Sequence, residues 1–154
     1  MPLHPTAAKV QERLRDAGLA VEVRELADST RTAAEAAAAV GAEIGQIVKS
    51  LVFVADGEPL LVLCAGDRRV DPAKLGPGVR AARADEVRAA TGFAIGGVPP
   101  LGHDGSLRTV VDTSLRRFDT VWCAAGTPHA VFETRLDALL AAVPDASEQD
   151  VTES

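Results

Sequence analysis

The stretch Ile47-Val48-Lys49-Ser50-Leu51-Val52-Phe53-Val54, followed after Asp56-Gly57 by Leu60-Leu61-Val62-Leu63-Cys64, decides how this 154-residue chain is read. Both runs are apolar on both faces, as central strands are. The Asp-Gly pair between them is the signal of a tight hairpin, so the two runs pair antiparallel. One residue does not fit. Side chains alternate with a period of two, so Lys49 shares a face with Ile47, Leu51 and Phe53. Lysine is almost never fully buried without a partner. Lys49 therefore either snorkels at the strand's end or points into a cleft to meet an anionic or carbonyl-bearing ligand.

Working outward, Ala7 to Ala17 has helical spacing, with Val10 and Leu14 on one face and Gly18 as C-cap. Ala20 to Leu26 alternates as a strand does. Thr32-Ala33-Ala34-Glu35 is a capping box that opens an alanine-rich helix closing near Gly41. Asp71-Pro72 pairs an N-cap with proline at the first helical position. A further helix runs from Asp85 to Ala90 and ends at Gly92. From Ala94 to Ser106 there is no periodicity, only a Gly/Pro-rich loop, and loops of that length inside a domain are usually functional or disordered. Strands follow at 109–112, 120–124 and 129–133, then an amphipathic helix from Arg135 to Val143. The order predicts a mixed α/β (α+β) fold with a largely antiparallel or mixed sheet. Residues 1–143 read as a single domain and 144–154 as an acidic, disordered tail.

Composition narrows the class. Nearly half the residues are apolar and a quarter are charged, as in soluble globular proteins. No apolar run approaches the ~20 residues of a membrane span. Met1-Pro2-Leu3-His4-Pro5 lacks the basic and hydrophobic regions of a signal peptide, so the expected compartment is the cytoplasm. Cys64 and Cys123 lie in apolar runs and read as small buried hydrophobes, with no metal-type spacing to the histidines. The net charge of −6 argues against a generic nucleic-acid coat. Four acids lie in the last ten residues, and without them 16 basic residues face 18 acidic ones. Arg68, Arg69, Lys74, Arg80, Arg83 and Arg88 form either a local basic patch or a solvated charged face.

Three further features bear on chemistry. Gly96-Gly97-Val98-Pro99-Pro100 is either a rigid connector or a loop whose N–H groups make a nest for an oxyanion or phosphate. Asp112 ends a strand, where it either caps the Asp-Thr-Ser turn or binds a substrate amine. His129 follows Gly126-Thr127-Pro128 and is either structural or a pocket residue.

Together these stretches resemble the YbaK / prolyl-tRNA synthetase-associated editing domain family. The resemblance runs from about Thr32 to Leu140. It is carried by Gln46-Ile47-Val48-Lys49-Ser50-Leu51-Val52-Phe53 with its Asp56-Gly57 turn, by Val62-Leu63-Cys64-Ala65-Gly66-Asp67, and by Ala90-Thr91-Gly92-Phe93 leading into Gly96-Gly97-Val98-Pro99-Pro100. Val111-Asp112-Thr113-Ser114-Leu115 and Ala125-Gly126-Thr127-Pro128-His129 complete it. The resemblance implies a curved, barrel-like mixed sheet with flanking helices. It also implies a free-standing hydrolase of mischarged aminoacyl-tRNA that needs no cofactor or metal. Its partners would be the acceptor end of tRNA and a synthetase. The family's lysine falls on Lys49 and its glycine loop on Gly96, Gly97 and Val98, with Pro100 matching the usual proline. Its later aspartate falls on Asp112. Gly126 and His129 match the pocket turn of some alanine-specific members, at a different spacing. Lys49 and Gly97 are thus expected to be catalytic, with Gly96, Val98, Pro100, Asp112, Gly126 and His129 binding substrate. The rival readings are a non-catalytic module that holds tRNA or a synthetase, and a small-ester hydrolase unrelated to tRNA.

Overall fold

A computed structural model describes residues 3–26 and 32–153; Met1, Pro2 and Ser154, on which parts of the terminal readings fall, lie outside them. The elements run α1 (Pro5–Asp16), β1 (Arg24–Glu25), α2 (Ala33–Val40), β2 (Val48–Ala55), β3 (Glu58–Ala65), α3 (Pro72–Leu75), β4 (Arg80–Ala81) and α4 (Ala84–Thr91), then β5 (Arg108–Asp112), β6 (Thr120–Ala124), β7 (Ala130–Arg135), α5 (Leu136–Ala142) and β8 (Ala146–Gln149). The fold is mixed α/β, as expected.

The predicted hairpin is present over its full length, with Val48 opposite Ala65 and Ala55 opposite Glu58. Asp56 (φ 52°) and Gly57 (φ 78°) form its turn. Positive φ at both central residues is the requirement of the type I′ turn, which Asp-Gly meets at low cost. Thr32 caps α2 through its side chain: its Oγ1 accepts from the Glu35 N–H at 3.1 Å and donates to the Glu35 carboxylate at 3.1 Å, and Gly41 closes the helix in the left-handed conformation. Asp71 caps α3 by accepting from the Ala73 N–H.

The strands form two sheets. One has the order β4-β2-β3-β5-β8, with β3, β5 and β8 parallel and the rest antiparallel. The other is β1-β7-β6, all antiparallel. A parallel bridge between Ile47 and Trp122 joins them. The expected barrel-like sheet is therefore not closed. Beyond the bridge, β2 and β6 leave a cavity between them, which α2 helps to line.

The main core fills the space between the sheets and helices with Val10, Leu14, Val48, Val52, Leu61, Leu63, Val121, Phe132, Leu136 and Leu139. The opposite face of the larger sheet carries a smaller cluster of Phe53, Leu60, Val62, Cys64, Val70, Val110 and Val151. Lys49 alternates onto this second face, where less apolar bulk competes for the space.

Two segments differ from what the sequence predicts. The strand read from Ala20 to Leu26 pairs only at Arg24 and Glu25, because β7 meets it only there; Val21 and Val23 are nevertheless buried. The acidic tail is not loose. Residues 146–149 form β8 on the parallel edge of β5, and Val151 is fully buried. The free edge of β5 supplies hydrogen bonds that outweigh the polarity of the segment, and Val151 gives it an apolar anchor. Among the described residues, no helix is long and apolar enough to cross a membrane.

Candidate functional site

The site begins with an open sheet edge. In a hairpin closed by a two-residue turn, the pair flanking the turn exchanges both hydrogen bonds, and the pattern then alternates. Lys49, Leu51 and Phe53 thus turn their backbone groups toward β3, while Val48, Ser50 and Val52 turn theirs away. The Val52 carbonyl accordingly accepts from the Ala82 N–H at 3.0 Å, outside the hairpin. At the other end, Ile47 bridges Trp122. Between these points no described strand pairs with that edge of β2. The edge around Ser50 faces a cavity of about 310 Å³.

Lys49 lines this cavity. Its ammonium donates to the carbonyl oxygen of Arg68. An ammonium has three N–H donors, so this anchor leaves two for a ligand. Cys64 lies opposite Lys49 across the hairpin. Burial pushes its thiol up to about 11, against the downward pull of the Lys49 charge. Burial also raises Cys123, which lines the cavity. Both cysteines remain protonated thiols at neutral pH and are poor nucleophiles.

Across the cavity from β2 stands the glycine loop. The Gly97 N–H donates to the Ala94 carbonyl at 3.0 Å, and Gly96 has φ 87°. Ala94-Ile95-Gly96-Gly97 is thus a type II turn with glycine at the position that demands positive φ. The two adjacent glycines have different jobs. Gly96 lines the cavity and Gly97 does not. A Cβ on Gly97 would stand 2.8 Å from the Gly126 carbonyl oxygen, and the Gly126 N–H donates to the Gly97 carbonyl at 2.8 Å. Gly97 is small so that two loops can touch. Its N–H is directed within the turn, to the Ala94 carbonyl. The N–H groups of Gly96 and Val98 have no acceptor among the described residues, and both residues line the cavity.

The remaining wall comes from residues that the sequence reading passed over. Thr32, at the N-cap of α2, and Ala33, Ala36 and Val40 within it cover one side, and Trp122, Ala124, Pro128 and Val131 another. The run of alanines in α2 was the available signal, since a helix without large side chains leaves room beside it. Ser50 also lines the cavity, and its Oγ is buried without a hydrogen-bond partner. An unpaired buried hydroxyl carries a desolvation penalty that a ligand can relieve. Arg24 lies over the Trp122 ring at 5.1 Å and steadies it.

Other expected residues lie elsewhere. Asp112 is buried at 1% exposure, and hydrogen bonds reach both oxygens of its carboxylate. It accepts from Val151 N–H at 2.8 Å, Ser114 N–H at 3.0 Å and Thr152 Oγ1 at 3.3 Å. Burial acts to raise its pKa, but these hydrogen bonds outweigh it and hold the carboxyl below its usual range. Asp112 thus caps the following turn and clasps the C-terminal segment. Gly126 (φ 100°) packs under α1, where a Cβ would meet Val10 at 2.8 Å. Pro100 is buried beside the loop and does not line the cavity. His129 lies next to the cavity-lining Pro128 without lining it, and its Nδ1 is buried and unpaired. The basic residues expected as a patch are largely paired: Arg80 with Glu86, Arg83 with Asp85, Lys74 with Asp150 and Arg69 with Glu153.

With this geometry, the chain matches the model of the aminoacyl-tRNA editing domain over residues 27–142. It is 35% identical to an uncharacterized protein, YwhH of Bacillus subtilis, over 117 residues covering 73% of this chain and 74% of that one. It is 40% identical to a proline–tRNA ligase of Lactobacillus gasseri over 76 residues, which are 46% of this chain and 14% of the ligase. A crystal structure described as a candidate trans-editing enzyme for prolyl-tRNA synthetase superimposes with a TM-score of 0.93 at 47% identity, covering 99% of this chain and 100% of the other.

Proposed function

The chain belongs to the aminoacyl-tRNA editing domain family, and from that premise we propose that it is a free-standing deacylase, acting in trans on a small amino acid mischarged on tRNA. The observation that carries this reading is the meeting of Lys49 with the Gly96 turn across one small-walled cavity. The ester substrate joins a small aminoacyl group to the terminal ribose at the acceptor end of tRNA. The aminoacyl group enters beside the α2 alanines and Trp122. The ester carbonyl then lies between the Lys49 ammonium and the N–H groups of Gly96 and Val98.

Water attacks the carbonyl carbon, and negative charge develops on the carbonyl oxygen. Donors fixed in place before the reaction stabilise that charge without reorganising, and one such donor is worth about 10²–10³ in rate. The C–O bond to the ribose then breaks, and the ribose oxygen leaves with a proton that originated on the water. Ser50 Oγ, buried and unpaired at the same wall, positions the aminoacyl group. A synthetase partner would supply the mischarged substrate. The test is a deacylation screen of the purified protein against alanyl-, seryl-, cysteinyl- and threonyl-tRNA. Release of one amino acid at a rate that Lys49→Ala abolishes is expected. Failure to deacylate any of them, with intact tRNA binding, would favour the binding-module reading.

A further inference from the structure

The glycine turn has a cavity on each side of it. A second cavity, of about 460 Å³, lies toward β4 and shares Lys49, Ser50, Leu51, Ile95, Gly96 and Val98 with the first. Its own walls include Phe53, Val70, Ala81, Ala82 and Val87, with Arg69 and Glu153 also lining it. The open edge of β2 runs between the two spaces, and Ala82 ends it by bonding Val52. The shared residues border both spaces, and they include the proposed catalytic groups.

We propose that this second cavity receives the terminal nucleoside of the substrate, so that the scissile ester lies at the residues the two cavities share, with the aminoacyl group in the first cavity. This inference rests on reading the first cavity as an ester-hydrolysing site. An ester between an amino acid and a ribose has unequal halves: one small, the other bearing a flat base and a phosphate. The cavities are unequal in the same sense. The first is smaller and walled by alanines. The second is larger, with Phe53, Val70 and Val87 as buried apolar surface for a base. Ile95, 57% exposed, adds apolar surface at the border the two cavities share. Arg69 supplies the cation for the phosphate. Its side chain is 84% exposed and meets Glu153 only at 3.7 Å. An exposed pair of this kind is weak and exchanges readily for a charge-assisted bond to phosphate.

Two measurements test the assignment. The first is calorimetric binding of adenosine 5′-monophosphate to the wild type and to Ala81→Trp, a substitution at an exposed wall position that fills the cavity. Binding to the wild type, weakened at least tenfold in the variant, is expected. No binding, or equal binding to both, overturns the proposal. The second compares KM for aminoacyl-tRNA with KM for the methyl ester of the same amino acid. Ala81→Trp and Arg69→Ala should each raise the former at least tenfold more than the latter, and equal shifts overturn the assignment. If the wild type hydrolyses neither substrate yet binds the mononucleotide with the expected Ala81→Trp loss, the catalytic reading fails and the nucleoside cavity stands.

Discussion

Lys49 and Asp112 are charged residues on strands of the same five-stranded sheet, one facing an open edge and the other a closed one. Lys49 sits on β2, where the edge is unpaired between Ile47 and Val52 and two cavities meet. Asp112 ends β5, where β8 covers the edge and Val151, Ser114 and Thr152 hold both oxygens of the carboxylate. Sequence logic gave both residues the same two readings, structural or functional. The difference lies in the hydrogen-bond count. A charged group whose bonding capacity is met by the fold holds structure together, and one with capacity left over can serve a ligand.

The largest effect that probes this contrast is expected at Lys49. Lys49→Ala should lower the deacylation rate by about 10²–10³ while leaving the melting temperature near that of the wild type. A variant that unfolds instead would make Lys49 a second Asp112. The reverse pattern is expected at the closed edge. Asp112→Ala leaves two N–H groups and a hydroxyl without their acceptor, which should cost about 3 kcal/mol of stability. Hydrogen exchange should accelerate in residues 146–153, while the folded fraction keeps its rate. A loss of turnover in fully folded protein would return Asp112 to the site.

The glycine turn sharpens the comparison within four residues. Gly97→Val forces a side chain against the Gly126 carbonyl, so stability should fall by about 1–3 kcal/mol, read as a lower denaturant midpoint. Gly96→Ala makes only an ordinary contact with Pro128, at 3.9 Å, but disturbs a positive φ beside the reacting carbonyl. Its rate should therefore fall more than its stability. Equal behaviour of the two variants would mean that the turn acts as one connector.

A smaller effect follows from pH. The Asp112 carboxyl titrates below its usual range in the folded protein. Its contribution to stability is therefore full above its unfolded value of about 3.9. It is lost as pH falls through the lower folded value. Melting curves of wild type and Asp112→Asn should converge on acidification through that window and stay apart at neutral pH. The smallest change is expected at His129, which lies outside the cavity. His129→Ala should leave the rate ratio among alanyl-, seryl- and threonyl-tRNA unchanged, and a shifted ratio would place its ring against the substrate.

Local rules were enough for much of this protein. The Asp56-Gly57 turn, the Thr32 cap, the Asp71-Pro72 helix start and the unusual position of Lys49 are all short-range facts, set by backbone sterics and nearest-neighbour hydrogen bonds. The ordered motifs also pointed to the family that the comparison over residues 27–142 establishes. Other features needed the tertiary structure, because they depend on what lies opposite in space. A dipeptide Gly-Gly does not say which member takes the positive φ and which meets another loop; Gly126 decided that for Gly97. An acidic tail does not announce that a parallel edge awaits it, and β5 made residues 146–149 a strand. Nor does an alanine-rich helix reveal that its small side chains roof a cavity. That space exists because strand pairing between β2 and β6 stops after the Ile47–Trp122 bridge, a geometry set by packing between segments 75 residues apart (122 − 47).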